Sequence, residues 1–523
     1  MASQHVINVD LAEVYASKDR KGFVRTLGWG DKIEVLDKTE KHVEIRTTRF
    51  EEQQDGSIEP VDASGFIVPS ASSGIKPEGV FIEREDGRVL KIDFADVQQG
   101  DASVVETPKG RVVFIDGGEQ QLFARYLAAR YQGTSMEKPK EVDCILVTHG
   151  DADHFAGLAK IKESETHPLL WKRLFIYPKR VYHNGLVKRP DSVREAERLG
   201  RTLTADGTTI ITELETNLLG VDDAKMNQPF LRWKEALEAY QERYPEREPI
   251  EFSRLSKGDD NAFGFLADED VGVEVLGPLL TRVGGEEGLK FLGEPESGPR
   301  IEHHSLEPDR NRFTGKSASH TINGHSVVLR LTYGDFRFLF SGDLNEEAEL
   351  DLVRAHDEGQ LDLRTEVLKA PHHGSHDFLP EFIKAASPVV SVVSSGDESP
   401  IKEYIHPRAT LMGALGKHSR VAEPLIFVTE LVAFFRAEDF VTPEFHELED
   451  GVALIENGQA VLNQKAREPF FAFSRTAYGL VMVRTDGDRL LVYTNSGQAD
   501  LKEAYAHRMD AAGEPVPERV RKA

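Results

Sequence analysis

Four side chains able to ligate a metal or move a proton fall within six residues: His149, Asp151, Asp153 and His154, in the stretch Thr148-His-Gly-Asp-Ala-Asp-His154. They follow the apolar run 144–147, which reads as a strand. A strand ending in a tight, ligand-rich turn can hold side chains on a common side of a cleft, rigidly enough to fix metal geometry. A helix cap would explain one Asp or one His, but not two of each at this spacing. Cys144, the one cysteine, lies inside the apolar run and reads as core rather than as a nucleophile.

The elements that must position this turn are legible around it. Strand-like runs at 89–94, 103–106, 111–115 and 143–148 enclose a helical stretch at 120–131, and this alternation predicts an α/β layered core. Strand signals return at 271–276, 326–333, 336–341 and 389–394, with an acidic helix at 346–356. Between them, residues 165–310 carry helical patches, scattered Pro and Gly and charged loops, and read as a long insertion or lid. Residues 1–72 show short period-two alternation at 13–15, 32–36, 42–46 and 65–69, as in a small antiparallel barrel. A Ser-rich stretch at 70–74 reads as a linker, and the segment 424–523 alternates again at 479–484 and 489–494, predicting a C-terminal β-rich extension.

Composition narrows the function classes. With 523 residues and 39% hydrophobic residues the chain is long enough for several domains and too apolar to be disordered. No run approaches the ~18 apolar residues of a membrane span, and the N-terminus does not read as a signal peptide. A single cysteine suits a reducing compartment, so a cytoplasmic location is expected. The net charge of −25 argues against wrapping long duplex nucleic acid on a broad basic face, and leaves a local basic cleft open.

The 148–154 run resembles the HxHxDH signature of the metallo-β-lactamase superfamily, with Asp151 in place of the second His. That HxDxDH form is similar to the hydrolase domain of ComEC-type DNA-uptake proteins and their soluble relatives. Further motifs agree in the family's order: Asp96-Val-Gln-Gln-Gly-Asp-Ala102 with "VGQGDA", Val113-Phe-Ile-Asp-Gly-Gly118 with "LIDGG", and Asn323-Gly-His-Ser-Val-Val-Leu-Arg330 with "NxxSLVLR". Phe340-Ser-Gly-Asp343 matches the strand-ending "GD", Leu368-Lys-Ala-Pro-His-His-Gly-Ser375 matches "LKxxHHGS", and His406-Pro407 the late "HP". The resemblance spans residues 80–420, interrupted by the 165–310 segment, and implies an αββα sandwich. The pattern of residues 1–72 resembles a bacterial SH3-like domain, a packing module or a contact for a protein partner.

The resemblance also implies a ligand set. His149 and Asp151 would bind one metal, Asp153 and His154 a second, and Asp343 would bridge them. His373 or its neighbour His372 would complete the second site, with His373 favoured by its alignment. His320 is either a ligand of the first site or a surface loop His, and Asp116 is expected to hydrogen-bond the metal loop. A carboxylate at 151 is harder than an imidazole, which moves preference from Zn²⁺ towards Mn²⁺ or Mg²⁺. Lys369 is either a neutraliser of phosphoryl charge or a salt-bridged strand-end Lys, and His406 either a proton donor or a packed loop His. His325 and Ser326 could hydrogen-bond near the site. Lys172, Arg173, Lys179, Arg180, His183, Lys188 and Arg189, with Trp171, Tyr177 and Tyr182, could form a phosphate-attracting, base-stacking rim or simply a solvated surface.

The function expected from these features is a two-metal phosphodiesterase or nuclease using a metal-bridging hydroxide, acting on nucleic acid or a small phosphodiester. A metallohydrolase of carboxylic esters, lactones or lactams is the first alternative. A non-catalytic binding or assembly module is the second.

Overall fold

The computed structural model describes residues 4–52, 58–295, 313–314, 316–396, 406–429, 446–447, 453–456, 459–460, 480–495 and 503–523. Alternation along single strands explains its layers. In Val112–Asp116, Val113 and Ile115 enter one buried cluster while Val112 and Phe114 enter another, so one strand feeds two cores. The first cluster lies between two sheets, where Phe94 of one stacks on Phe340 of the other at 5.9 Å between ring centroids.

The first sheet has ten strands in the order Glu251–Arg254, Arg180–His183, Cys144–Leu146, Val112–Asp116, Ala102–Glu106, Leu90–Phe94, Leu480–Thr485, Arg489–Asn495, Ala504–Met509 and Pro515–Glu518. Its outer face packs on helices α1 (Leu122–Arg130), α2 (Ala152–Ser164) and α3 (Gln228–Arg243). The second sheet has six strands in the order Val271–Gly277, Val328–Tyr333, Phe336–Phe340, Val367–Lys369, Val390–Val393 and Leu425–Val428. After the short α4 (Ala318–Gly324), its outer face packs on α5 (Glu346–Asp357), α6 (Pro380–Ala386) and α7 (Ala409–His418). The order of layers is helix, sheet, sheet, helix.

Local chemistry starts these helices where the site needs them. Asn345 caps α5 by accepting from the Ala348 N–H at 3.2 Å. Glu346, Glu347 and Glu349 occupy the first turn of α5 and Arg354 and His356 its last, as the helix dipole favours. Asp151 stands at the N-cap of α2, so the ligand-rich turn and the helix start are one structure.

Two expected segments are arranged differently. The segment 165–310 is not a separate insertion: its strands Arg180–His183 and Glu251–Arg254 extend the first sheet in parallel, α3 joins the outer layer, and Val271–Gly277 edges the second sheet. Short strands with polar flanks give little signal along the chain, because their burial comes from neighbours far away in sequence. What remains apart is a small four-stranded sheet, Thr202–Ala205, Thr208–Ile211, Glu286–Lys290 and Thr281–Val283, which packs on α4 through Leu186, Ile211, Leu289 and Ile322. The C-terminal strands likewise continue the first sheet, with Leu480–Thr485 antiparallel to Leu90–Phe94. Residues 430–445, 448–452, 457–458, 461–479 and 496–502 of the expected extension lie outside the described residues.

The N-terminal sheet has seven antiparallel strands, in the order Phe23–Gly28, Leu11–Tyr15, Ile58–Ile67, Val43–Glu52, Lys32–Lys38, Gln4–Ile7 and Phe81–Glu83. It therefore reaches past residue 72, because Phe81–Glu83 returns to pair with Gln4–Ile7. The chain's own C-terminal region docks on it. Buried Asp10 accepts from Arg489 Nη2 at 2.8 Å and from the Arg521 N–H at 2.6 Å, and Tyr493 lies against Gly28. No helix among the described residues is long and apolar enough to cross a membrane.

His325, which follows α4, supplies a pH-dependent element of stability. Its Nε2 donates to the Lys290 carbonyl at 2.7 Å, and burial pushes its pKa down to about 4. An unfolded His takes up a proton near pH 6.5, whereas the folded one stays neutral down to about 4. Stability from this group is therefore full above pH 6.5 and is lost as pH falls towards 4. The expected loss between pH 7 and pH 5 is about 2 kcal/mol. Urea unfolding at both pH values checks this: His325→Gln should shrink the pH difference by that amount, and an unchanged difference would assign it elsewhere.

Candidate metal centre

The ends of four strands and the loops after them converge on one pocket. Cys144–Leu146 leads into the 148–154 turn, Phe336–Phe340 into Asp343, Val367–Lys369 into His372 and His373, and Leu90–Phe94 into the 96–101 loop. That last loop is pressed onto the turn: a Cβ at Gly100, whose φ is +114°, would sit 2.0 Å from the Asp153 carbonyl oxygen. Gly342, φ +53°, gives the backbone its bend directly before Asp343, with Ser326 Oγ 2.6 Å from where a Cβ would be. His372 and His373 both hold left-handed φ, 46° and 51°, a conformation that costs energy in non-glycine residues and is kept only where surroundings enforce it.

His154, His373 and Asp343 converge on one another, and Asp153 joins them at His373. His154 Nε2 lies 3.1 Å from His373 Nε2 and 3.2 Å from Asp343 Oδ1. His373 Nε2 lies 3.0 Å from Asp343 Oδ2 and 3.3 Å from Asp153 Oδ2. Both imidazoles are fixed from behind. His154 Nδ1 donates to Asp116 Oδ2 at 2.8 Å, and His373 Nδ1 donates to the Ser394 carbonyl at 3.1 Å. With each Nδ1 acting as donor, the neutral rings would turn two Nε2 lone pairs towards each other and the carboxylates, an arrangement that suits a cation, whether a metal or protons on the rings. Ligands about 2.1 Å from a tetrahedral ion stand about 3.4 Å apart, close to the separations seen here. The residues present fit a divalent metal.

Asp101 is also within reach, since its ligand atom and those of His154, Asp343 and His373 fall within 4.8 Å of one another. Its oxygens, however, face the Nδ1 atoms, at 3.3 Å from His373 and 3.8 Å from His154. It therefore backs the two rings, whereas Asp153 meets Nε2. Asp116 has the same kind of place, accepting also from the N–H and Oγ1 of Thr148, each at 2.7 Å.

The charges in the pocket are interdependent. Burial disfavours charge on His154 and His373, but the carboxylates together outweigh it, Asp343 with Asp116 at His154 and Asp343 with Asp101 at His373, and their pKa values stand well above the ordinary histidine value. Burial likewise opposes ionisation of Asp343, and His154 and His373 overcome it, holding the carboxyl well below its usual range. His149, by contrast, is pushed well down by burial and then by the neighbouring His154. A metal entering the pocket must displace the protons these rings hold, so its affinity falls with falling pH.

The other expected residues are distributed around this centre. His149 is fully buried, with its ring centroid 4.0 Å from that of His154 and its Nδ1 3.2 Å from Ser326 Oγ. Asp151 is bound by Lys188 Nζ at 2.6 Å. His372 stands at the edge, its Nε2 4.0 Å from Asp343 Oδ2. His320, on α4, has its Nδ1 3.5 Å from Asp377 and is not part of the close cluster. Lys369 is buried in a salt bridge with Asp101, donates to the Gly342 carbonyl at 3.1 Å, and lies 3.9 Å from Asp343. Of its two expected roles, neutraliser of phosphoryl charge or salt-bridged strand-end Lys, these contacts favour the second.

His406 is buried with its ring 6.1 Å from that of His372, and burial, with the neighbouring His373, lowers its pKa to about 3. Of its two expected roles, proton donor or packed loop His, its burial favours the second. Part of the expected basic rim is committed elsewhere: Lys179 pairs with Glu141 and Asp143, Arg180 with Glu251, and Tyr177 and Tyr182 are buried. Asp101 and Asn323 stand inside recognisable motifs that assign them no role, and Lys188 reads from sequence only as a rim residue. Their part depends on which loops touch, which spacing along the chain does not reveal.

Residues 95–223 match the family model of the metallo-beta-lactamase superfamily. The chain carries a metallo-beta-lactamase superfamily domain. Asp101, Asp116, His149, Asp151, Asp153, His154 and Lys188 all fall inside the matched part of that domain, whereas Asp343 and His373 lie beyond it. No curated protein matches the chain. A solved structure, a long form RNase Z from yeast, aligns over 79% of this chain and 49% of its own length, with 8% identity and a TM-score of 0.22. The chain spans about half of that protein, and an overlap this low transfers no activity.

Proposed function

We propose that this chain is a metal-dependent hydrolase of phosphodiesters, a phosphodiesterase or nuclease of the ComEC-type branch, with an ion held by Asp153, His154, Asp343 and His373. The observation that carries the reading is the meeting of two imidazole lone pairs and two carboxylates at 3.0–3.3 Å. The mixed oxygen and nitrogen donors suit Mn²⁺ or Zn²⁺, and the ordered HxDxDH, GD and HHGS motifs support phosphorus over carbonyl substrates.

A divalent ion there would lower the pKa of water and polarise a phosphoryl oxygen. The chain's own residues prepare that chemistry. Asp116 and the Ser394 carbonyl hold the two rings in the tautomer that presents Nε2. Lys369 and Asp101 form a buried, mutually neutralised pair behind the carboxylates. The N-terminal sheet is proposed to be an SH3-like module acting within the molecule, since the chain's own C-terminal region covers part of it. A cytoplasmic location follows from the same reading.

The test is turnover by the purified full chain with Mn²⁺ or Zn²⁺. Bis-p-nitrophenyl phosphate, a single-stranded oligonucleotide and plasmid should include at least one substrate, while nitrocefin and acyl-homoserine lactones should be inert. Hydrolysis only of the latter pair would move the reading to carbonyl chemistry. A metal-free protein inert to everything would leave a binding module.

A further inference from the structure

The half of the cleft around Asp151 is chemically unlike the half around His373. Asp151 Oδ1 accepts from Lys188 Nζ at 2.6 Å. The Asn323 amide, oriented with its NH₂ towards oxygen, donates to Asp151 Oδ2 at 2.9 Å and to the Ser319 carbonyl at 3.3 Å. The other end of that amide lies 3.5 Å from His372 Nε2. Both oxygens of Asp151 are thus satisfied by the chain itself, in contrast to the converging acceptors of the His154 and His373 pocket.

Lys188 is delivered there by a braced segment. Leu186 and Val187, just before it, are buried, and Leu186 packs with Ala318 and Ile322 of α4. The Lys188 carbonyl accepts from the Asn227 N–H at 2.8 Å, at the cap of α3. Its ammonium also donates to Ser319 Oγ at 3.3 Å, and the side chain is only 16% exposed. An ammonium held on Asp151 and a divalent cation on the same carboxylate would repel at short range.

We infer that Lys188 is a built-in cation: it occupies the Asp151 side of the cleft in place of a second metal, so the chain holds one divalent ion plus one ammonium. The inference rests on the proposed metal site at His154 and His373 and concerns how many ions the cleft takes. It also gives Asp151 a role other than ligation, that of anchoring Lys188 beside the ion, where its positive charge faces an anionic substrate.

Metal counting on the full chain tests this without any substrate. Equilibrium dialysis against Mn²⁺ or Zn²⁺ with elemental analysis, and calorimetric titration, should give one tight ion for the wild type. Lys188→Ala should take up a second ion, Lys188→Arg should remain at one, and Asp151→Ala should keep the single ion with affinity changed only a few-fold. Near-ultraviolet circular dichroism verifies that the variants are folded, and Lys188→Met serves if the alanine variant is not. Two ions of similar affinity in the wild type, one ion in Lys188→Ala and Lys188→Met alike, or loss of the ion in Asp151→Ala would each overturn the inference. If the wild type binds no ion at all, the metal site itself fails, and this outcome is distinct from all three.

Discussion

Asp343→Ala is expected to lower turnover by roughly 10³-fold or more, the rate equivalent of about 4 kcal/mol. The carboxylate reaches both rings of the candidate site, at 3.2 Å from His154 Nε2 and 3.0 Å from His373 Nε2, so removing it leaves two imidazoles without the anion that balances an ion or their protons. Metal content should fall together with activity. The fold should survive, because Asp343 lies in a loop whose backbone N–H bonds to Ser326 Oγ and whose bend is made by Gly342. Circular dichroism and elemental analysis accompany the kinetics, and Asp343→Asn preserves the shape while removing the charge. A variant that kept full activity at unchanged metal content would show that Asp343 is no ligand.

The second large effect concerns the joint between the N-terminal sheet and the C-terminal strands. Asp10 is fully buried and held by Arg489, itself 3% exposed, so Arg489→Ala leaves a carboxylate without its main partner in a buried interface. Breaking a buried pair in this way costs about 3–5 kcal/mol. Chemical denaturation should report that loss, and hydrogen exchange should show faster opening in Leu11–Tyr15 and Phe23–Gly28. Replacing both partners, as in Asp10→Leu with Arg489→Met, should recover most of it, because the expensive species is the unpaired charge and not the missing bridge. A loss under about 0.5 kcal/mol for Arg489→Ala would mean that Asp10 is adequately held by Arg521, through its backbone N–H and its guanidinium at 3.3 Å.

Joining the N-terminal sheet to the core in this way was beyond reach of residue patterns. Asp10 and Arg489 are 479 positions apart, and neither stands in a run that looks unusual. The segment 165–310 misleads for a related reason. Arg180–His183 and Glu251–Arg254 are four-residue strands whose place in the sheet is decided by parallel partners, and parallel pairing leaves no hairpin signature. Part of the expected rim is neutralised because charged residues beside a strand are equally able to meet carboxylates across it, as Lys179 and Arg180 do.

The amino-acid sequence by itself determined the ligand-bearing turn, the apolar strand behind it, the layered α/β character and the motif order. These depend on residue type and local spacing, since a strand of period two and a turn rich in Asp and His are properties of a few neighbouring residues. Tertiary structure alone decided which acceptors face one another. It set Asp101 behind the rings and Asp153 in front of them, buried Lys369 against Asp101, and laid Lys188 on Asp151. The physical reason is that coordination and ion pairing act over about 3 Å between atoms, and that distance is settled by how sheets and loops pack, not by separation along the chain.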